Sequence, residues 1–204
     1  MTLQLTQLRT AGFLVSVSGQ IKTADFPGCS KVYCKYSFKH GADWEMTSGI
    51  DEGITQTAKK SQDERQLFVW NFPVEITFRS TNVHGWPQLI LSVFGLDSFG
   101  NDTIQGYGVC HIPINAGHHS KSVAMYVPES SSLLQKLTSW LTGRRPEFID
   151  PKVIGQGVGR EVTRVRSQGR VLLDLNVLTK DLSLHGYDNT QRLATTGFEK
   201  THLD

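Results

Sequence analysis

Few residues of this 204-residue chain have the types and spacing that nucleophilic or acid–base chemistry requires. Cys110 and His111 are neighbours in a predicted strand, where adjacent side chains point to opposite faces, so they cannot work together as nucleophile and base. His118 and His119 fall in a predicted turn. Neither HxxxH nor CxxC spacing occurs. We therefore expect no catalytic residue, no metal-ligand set and no bound cofactor.

Three closely spaced glycines, Gly155, Gly157 and Gly159, superficially suggest a loop that binds a dinucleotide. Such a loop follows a strand and opens a helix, because the helix N-terminus and the backbone amides hold the phosphates. No predicted strand precedes these glycines, no clear helix follows them, and the third is misplaced for G-x-G-x-x-G. We interpret the segment as a flexible connector.

Positive charge is concentrated in residues 144–170, which carry seven cationic side chains against three carboxylates, a local +4 in a chain of net charge +2. Two interpretations remain open: a solvated edge with partners such as Glu161, or a surface of forked donors for carboxylates or phosphates. No aromatic residues interleave the arginines, which disfavours a nucleic-acid partner. A binding surface would suit a phosphoinositide headgroup or an acidic patch on another protein. Its candidate contacts are Arg144, Arg145, Arg160, Arg164 and Arg166.

The elements that must position these residues are mainly strands, because apolar and polar residues alternate with period two along much of the chain. Residues 41–63 lack the pattern and are predicted to be a long loop or a weak edge strand, with Trp44 close to exposed. Trp70, Trp86 and Trp140 are predicted to anchor the core or turns. The predicted strands are 13–17, 32–38, 67–70, 74–80, 88–94, 107–114, 121–127 and 171–178.

One short amphipathic helix is predicted near 132–142. Ser132 is a good N-cap with Gln135 three residues later, and apolar residues follow at helical spacing until Gly143. We expect its apolar face to pack on the sheet rather than to bind a partner or a membrane. With 38% hydrophobic residues, the chain can bury one sizeable core. We predict one domain over 11–180, an N-terminal extension over 1–10 and a flexible tail over 181–204.

The compartment is indicated by the cysteines and the N-terminus. Residues 1–10 have no sustained apolar core, so we expect no secretory signal, and the longest apolar runs are too short to span a bilayer. Three scattered cysteines suit a reducing compartment in which thiols stay free. We expect a cytoplasmic protein.

Four motifs in the same order resemble the B9 domain family of ciliary transition-zone proteins. They are Trp70-Asn71-Phe72-Pro73, Gly85-Trp86-Pro87-Gln88, Phe99-Gly100-Asn101-Asp102 and Gly143-Arg144-Arg145-Pro146-Glu147. The resemblance covers about Phe13 to Leu178, and its middle part resembles a C2-type β-sandwich. It implies a mainly β, antiparallel β-sandwich of C2-like type.

The resemblance also implies a function without catalysis. Proteins of this family are subunits of the transition-zone complex at the base of the cilium, where they associate with other B9 domain proteins and with membrane proteins. The chain would then support ciliogenesis, the ciliary diffusion barrier and ciliary signalling, at the basal body and transition zone within the cytoskeleton. The alternative is a calcium-independent peripheral module that binds anionic lipid through its C2-like fold.

The resemblance raises the question of calcium, because many C2-type domains bind it through aspartates on two loops at one end of the sandwich. Calcium needs several oxygen ligands at once. Here Asp97 and Asp102 remain on one loop and Asp25 on the other. Gly95 stands where calcium-binding members usually carry aspartate, and Lys31 adds positive charge. We expect Asp25, Gly95, Asp97 and Asp102 to be vestigial positions that hold no metal.

Overall fold

The computed structural model describes residues 12–96, 100–128 and 165–187. These residues form ten β-strands and one 3-10 turn, Ser183–His185. No helix among them is long and apolar enough to cross a membrane. The helix predicted near 132–142 lies outside the described residues. The strands are β1 Phe13–Asp25, β2 Lys31–Lys39, β3 Trp44–Gly49, β4 Glu52–Ile54, β5 Ala58–Lys59, β6 Phe68–Ser80, β7 Gln88–Leu96, β8 Asp102–His111, β9 Gly117–Pro128 and β10 Val165–Lys180.

All strand pairs are antiparallel, in the order β3-β6-β1-β10-β9-β8-β7-β2-β4, with β5 also paired to β2. The sheet curls so that its two halves face each other. Phe38 of β2 lies 5.9 Å from Phe78 of β6 between ring centroids, although five strands separate β2 from β6 along the sheet. The predicted antiparallel sandwich is therefore confirmed.

Alternating burial produces the core between the two halves. In β2, Cys34, Tyr36 and Phe38 are buried whereas Tyr33 and Lys35 are not, as the period-two pattern predicts. Full burial of one large aliphatic or aromatic side chain contributes about 1.5–3 kcal/mol of transfer free energy. The central strands β1, β6 and β10 supply many of these side chains, among them Phe13, Val15, Val17, Ile21, Val74, Ile76, Phe78, Val171, Leu173, Leu175 and Val177.

Strand β6 is continuous, whereas the sequence pattern predicted two strands, 67–70 and 74–80, separated by Asn71-Phe72-Pro73. Asn71 takes a left-handed backbone conformation with φ of 46°, and the pairing with β1 shifts at the same level. Asparagine tolerates this conformation better than most residues. Pro73 pairs with Gln20 of β1, and β3 reaches only as far as Ile76 on the other side. On that side, no described strand lies beside Pro73, so the N–H that proline lacks leaves no described strand without a hydrogen-bond donor.

The segment 41–63 is not a plain loop, because it contains β3, β4 and β5. The prediction that Trp44 is close to exposed is wrong: only 3% of the residue is exposed. Its indole N–H donates to the His84 carbonyl at 2.8 Å, and its ring packs edge-to-face on Phe13 at 5.5 Å and Trp86 at 5.1 Å. These contacts come from distant parts of the chain, so local composition gave no sign of them.

The packed chain continues past the end of β10. Leu182 is 3% exposed and joins the core, and the Tyr187 ring lies 6.1 Å from that of Phe13. Asp181, with φ of 64°, makes the turn that directs Leu182 inward. The tail predicted over 181–204 therefore begins with a packed stretch that reaches at least Tyr187. Residues 1–11 and 188–204 lie outside the described residues.

Trp44→Ala is expected to lower the free energy of unfolding by about 3–5 kcal/mol, because it removes a buried indole from an aromatic cluster. Trp44→Phe keeps most of the packing but leaves the His84 carbonyl without its donor, so a smaller loss of about 1–3 kcal/mol is expected. Urea unfolding followed by circular dichroism measures both variants. A loss below about 1 kcal/mol for Trp44→Ala would show that the ring contributes as an exposed side chain does.

Candidate functional site

The described segments that sequence analysis proposed for binding lie at one end of the sandwich, which we call the loop end. Strands β1 and β7 end there and β2 and β8 begin there; β9 ends at Pro128 and β10 begins at Val165 at the same end. Of the five candidate arginines, the structure describes Arg166, which is exposed. Arg144, Arg145, Arg160 and Arg164 lie outside the described residues, within the connection between those two points. Arg166 thus lies at the same end as the vestigial calcium positions Asp25, Gly95 and Asp102.

A bulge in β10 brings Arg166 against the β1–β2 loop. The pairing with β9 shifts between Ser167 and Arg170, and Gly169 has φ of 79°. A Cβ atom on Gly169 would lie 2.4 Å from the Asp25 carbonyl oxygen, so only glycine allows this approach. The result is an open groove of about 440 Å³, which we call the Arg166 groove. It is lined by Pro27, Gly28, Cys29, Gln105, Arg166, Ser167, Gln168 and Gly169.

A chain of hydrogen bonds runs from this groove into the protein. Arg166 Nη2 donates to Gln168 Oε1 at 2.9 Å, and Gln168 Nε2 donates to Gln105 Oε1 at 3.3 Å. Gln105 Nε2 then donates to Thr103 Oγ1 at 3.0 Å. The series ends where Thr103 Oγ1 donates to the Gly95 carbonyl at 3.2 Å. Gln105 and Thr103 are buried. We call this series the Arg166 network. It connects the exposed Arg166 guanidinium to the buried side chains of Gln105 and Thr103.

The vestigial calcium positions do not form a carboxylate cluster in the described residues. The Asp25 carboxylate lies 3.4 Å from the Arg170 guanidinium, so a cation already accompanies it. Asp102 is exposed, and Asp97 lies outside the described residues. A Cβ on Gly95 would lie 3.1 Å from Gln105 Cγ and 3.2 Å from the Lys31 carbonyl oxygen, which leaves little room for a carboxylate. Within 12–96, 100–128 and 165–187, no three His, Cys, Asp or Glu side chains are grouped to hold a metal ion.

The two strand thiols are poor nucleophiles. Burial raises the pKa of the Cys34 thiol to about 12, and a backbone hydrogen bond from Ser92 offsets this only in part. Burial also raises the pKa of Cys110, although the nearby Lys121 charge acts in the opposite direction. His111 is exposed on the face opposite Cys110, as the strand pattern predicted. Since the thiolate is the reactive form, neither thiol is activated.

Sequence reasoning missed Thr103, Gln105 and Gln168, the neutral members of the Arg166 network. The predicted strand started at Tyr107, but β8 begins at Asp102, so the first half of the strand was assigned to a loop. A glutamine within an otherwise apolar strand was the available signal, because a buried amide needs partners. His118 and His119 were also misplaced, since they lie in β9 rather than in a turn.

Calorimetric titration of the purified chain with calcium is expected to give no saturable heat. Asp25 is paired with Arg170, Gly95 has no side chain, and the adjacent groove carries the positive charge of Arg166. A calcium-binding C2 domain titrated in the same buffer serves as the positive control. Saturable binding with a dissociation constant at or below about 10⁻⁵ M would contradict the prediction.

Comparison with known proteins identifies the family. Residues 15–178 match the family model described as "Ciliary basal body-associated, B9 protein". The chain is 61% identical over 176 residues to B9 domain-containing protein 1 of Xenopus laevis, covering 86% of this chain and 89% of that protein. It is 31% identical over 174 residues to B9 domain-containing protein 2 of Bos taurus, covering 85% and 98%.

Among solved structures, a C2 domain of plant Extended Synaptotagmin 1 is similar with a TM-score of 0.41 and 14% identity, covering 80% of this chain and 92% of that one. The family assignment rests on the sequence matches, which extend from β1 to within β10. This span includes β2 to β9, most of β1 and β10, and both sides of the Arg166 groove. The chain therefore belongs to the ciliary basal body-associated B9 protein family.

Proposed function

We propose that this chain is a non-enzymatic subunit of the ciliary transition-zone complex and works through contacts with other B9 domain proteins and with transition-zone membrane proteins. In this role it supports ciliogenesis, the ciliary diffusion barrier and ciliary signalling. The observation that carries the proposal is the match of residues 15–178 to a ciliary basal body-associated family. Two classes of relatives, B9 domain-containing proteins 1 and 2, match the chain over similar lengths. Subunits of the same domain type are natural partners in a hetero-oligomer.

The chemistry of the described residues agrees with a role in binding. The buried thiols are held in their unreactive form, and the polar side chains at the loop end are engaged with one another. Among the described residues of this end, the exposed Arg166 guanidinium at the edge of the groove is available to a partner. A protein of this construction acts through its surface.

A second candidate function is a calcium-independent module that binds anionic lipid. Arg166 favours it, because a guanidinium fixed at the rim of an open groove suits a phosphate group. Asp25 at the same end is paired with Arg170, so it does not oppose an anion with a full negative charge. The two candidates differ in the occupant of the loop end, which allows one set of variants to separate them.

Replacing Arg160, Arg164 and Arg166 together by Ala is expected to weaken binding of the partner or of the vesicles while leaving the fold intact. Arg166, the described member of the three, is exposed, and exposed arginines contribute little to stability. Flotation with phosphatidylserine and phosphoinositide vesicles and pull-down with a second B9 domain protein are measured in parallel. The loss should shrink at high salt, since surface charges are screened.

Arg79→Ala is the matched control, because Arg79 lies in β6 opposite Leu14 of β1 in the strand register, at the other end of the sandwich. Loss of vesicle binding alone would favour the lipid module, and loss of the protein partner alone would favour the assembly subunit. An unfolded triple variant would show that these arginines are structural.

Localisation tests the proposed function directly. A tagged copy is expected to concentrate between the basal body and the axoneme, and to leave that zone when B9 domain-containing protein 2 is depleted. The reason is mutual dependence: a subunit held only by protein contacts is retained only while its partners are present. The tag alone gives the background signal. A diffuse cytoplasmic signal in ciliated cells, unchanged by the depletion, would refute the assembly role.

A further inference from the structure

One edge of strand β9 has no neighbouring strand among the described strands along most of its length. On one side it pairs with β10 from Gly117 to Pro128. On the other side, within the described part of the chain, it pairs with β8 at a single position, Tyr107 with Tyr126. The edge from Gly117 to Met125 therefore presents backbone donors and acceptors with no strand partner among the described elements. Such an edge is a template for strand addition.

The two strands separate because inward side chains of β9 pack across the backbone of β8. A Cβ on Gly108 would lie 2.4 Å from Met125 Sδ and 2.8 Å from Val123 Cγ1, so these side chains occupy the space over the glycine. Beyond Gly108 an open groove of about 410 Å³ remains between the strands. It is lined by Val109, Cys110, His111, Lys121, Ser122, Val123, Ala124 and Tyr126.

The strands at the two ends of the sheet have blunted edges, whereas the edge of β9 is regular. β3 is interrupted by a bulge between Met46 and Ser48, and β4 and β5 have only three and two residues. β9 pairs with β10 from Gly117 to Ala124 without any shift of register. Bulges and short strands protect an edge from pairing with another chain. Among the described strands, β9 offers the longest straight edge.

Lys121 determines which chain can use this edge. It is exposed near the middle of the edge, and no carboxylate lines the adjacent groove. A charged lysine in an edge strand discourages indiscriminate pairing. A second copy of this chain would bring another Lys121 to the same edge, so like charges oppose self-association. A partner strand with a carboxylate opposite Lys121 would instead gain a charge-assisted contact.

We propose that the β9 edge receives an extended strand of a partner B9 domain protein, with a carboxylate placed against Lys121 and small or apolar residues over Ala124 and Val109. This inference rests on the proposed function, because it adds a second contact surface between B9 subunits to the one proposed at the loop end. Backbone hydrogen bonds along β9 supply affinity, and Lys121 with the groove supplies selectivity.

Binding of purified B9 domain-containing protein 2 to the full chain tests the proposal. Lys121→Glu is expected to weaken binding more than tenfold, because juxtaposed like charges at an interface cost several kcal/mol. Lys121→Ala should give a smaller loss. Lys180→Glu is the matched control, since Lys180 is an exposed lysine at the end of β10, opposite Leu14 of β1 and away from the loop end, and the affinity of this variant should be unchanged.

Amide hydrogen exchange distinguishes strand addition from contact through side chains alone. In the free chain, the amides of residues 118–125 that face away from β10 should exchange rapidly, and complex formation should protect them. An intact complex with unchanged exchange in β9 and unchanged affinity for Lys121→Glu would overturn the edge assignment and leave the proposed function standing. Failure of the unaltered chain to bind the probe would overturn both. A dimer of the chain alone that Lys121→Glu weakens would identify a second copy as the occupant and overturn the acidic-partner assignment.

Discussion

The contact on which the rest of the fold depends is the packing of Trp44 at one end of the sandwich. Its indole meets Phe13 at the start of β1, Phe78 near the end of β6 and Trp86 in the β6–β7 connection, and it donates to the His84 carbonyl. A sheet that curls must be held closed where its halves approach each other. Edge-to-face aromatic pairs do this while excluding water and satisfying the one polar atom of the indole. With this end closed, the loops at the opposite end can vary without loss of the core.

Strands whose faces differ in polarity were predictable, because burial of one face dictates the period-two pattern. β2 and β7 lie close to their predicted bounds. β6 was divided in error because Asn71 and Pro73 ordinarily interrupt strands, and only the left-handed φ of Asn71 together with the short reach of β3 makes them compatible with pairing. Trp44 was misplaced because its partners lie 31 residues before it and 34 to 42 residues after it in the sequence, a separation that no local pattern reports.

The loop-end site was predictable in its charge but not in its construction. The absence of calcium binding, argued from Gly95 and Lys31, stays a prediction, whereas the choice of Arg166 followed from a count of arginines. The Arg166 network did not, because Gln105 and Gln168 are 63 residues apart and meet only through the β10 bulge. Divalent-ion ligation needs converging carboxylates, whereas this network places neutral amides and a hydroxyl behind one cation.

The start of β1 and the end of β10 lie side by side, since Leu14 pairs with Lys180 and the ring of Phe13 lies 6.1 Å from that of Tyr187. The first and last described residues therefore lie at one end of the sandwich, opposite the loops. A β-strand rises about 3.3 Å per residue, so the 13 residues of β1 span about 40 Å. The sandwich thus separates Gly12 and Tyr187 at one pole from the Arg166 groove at the other by about the length of this strand.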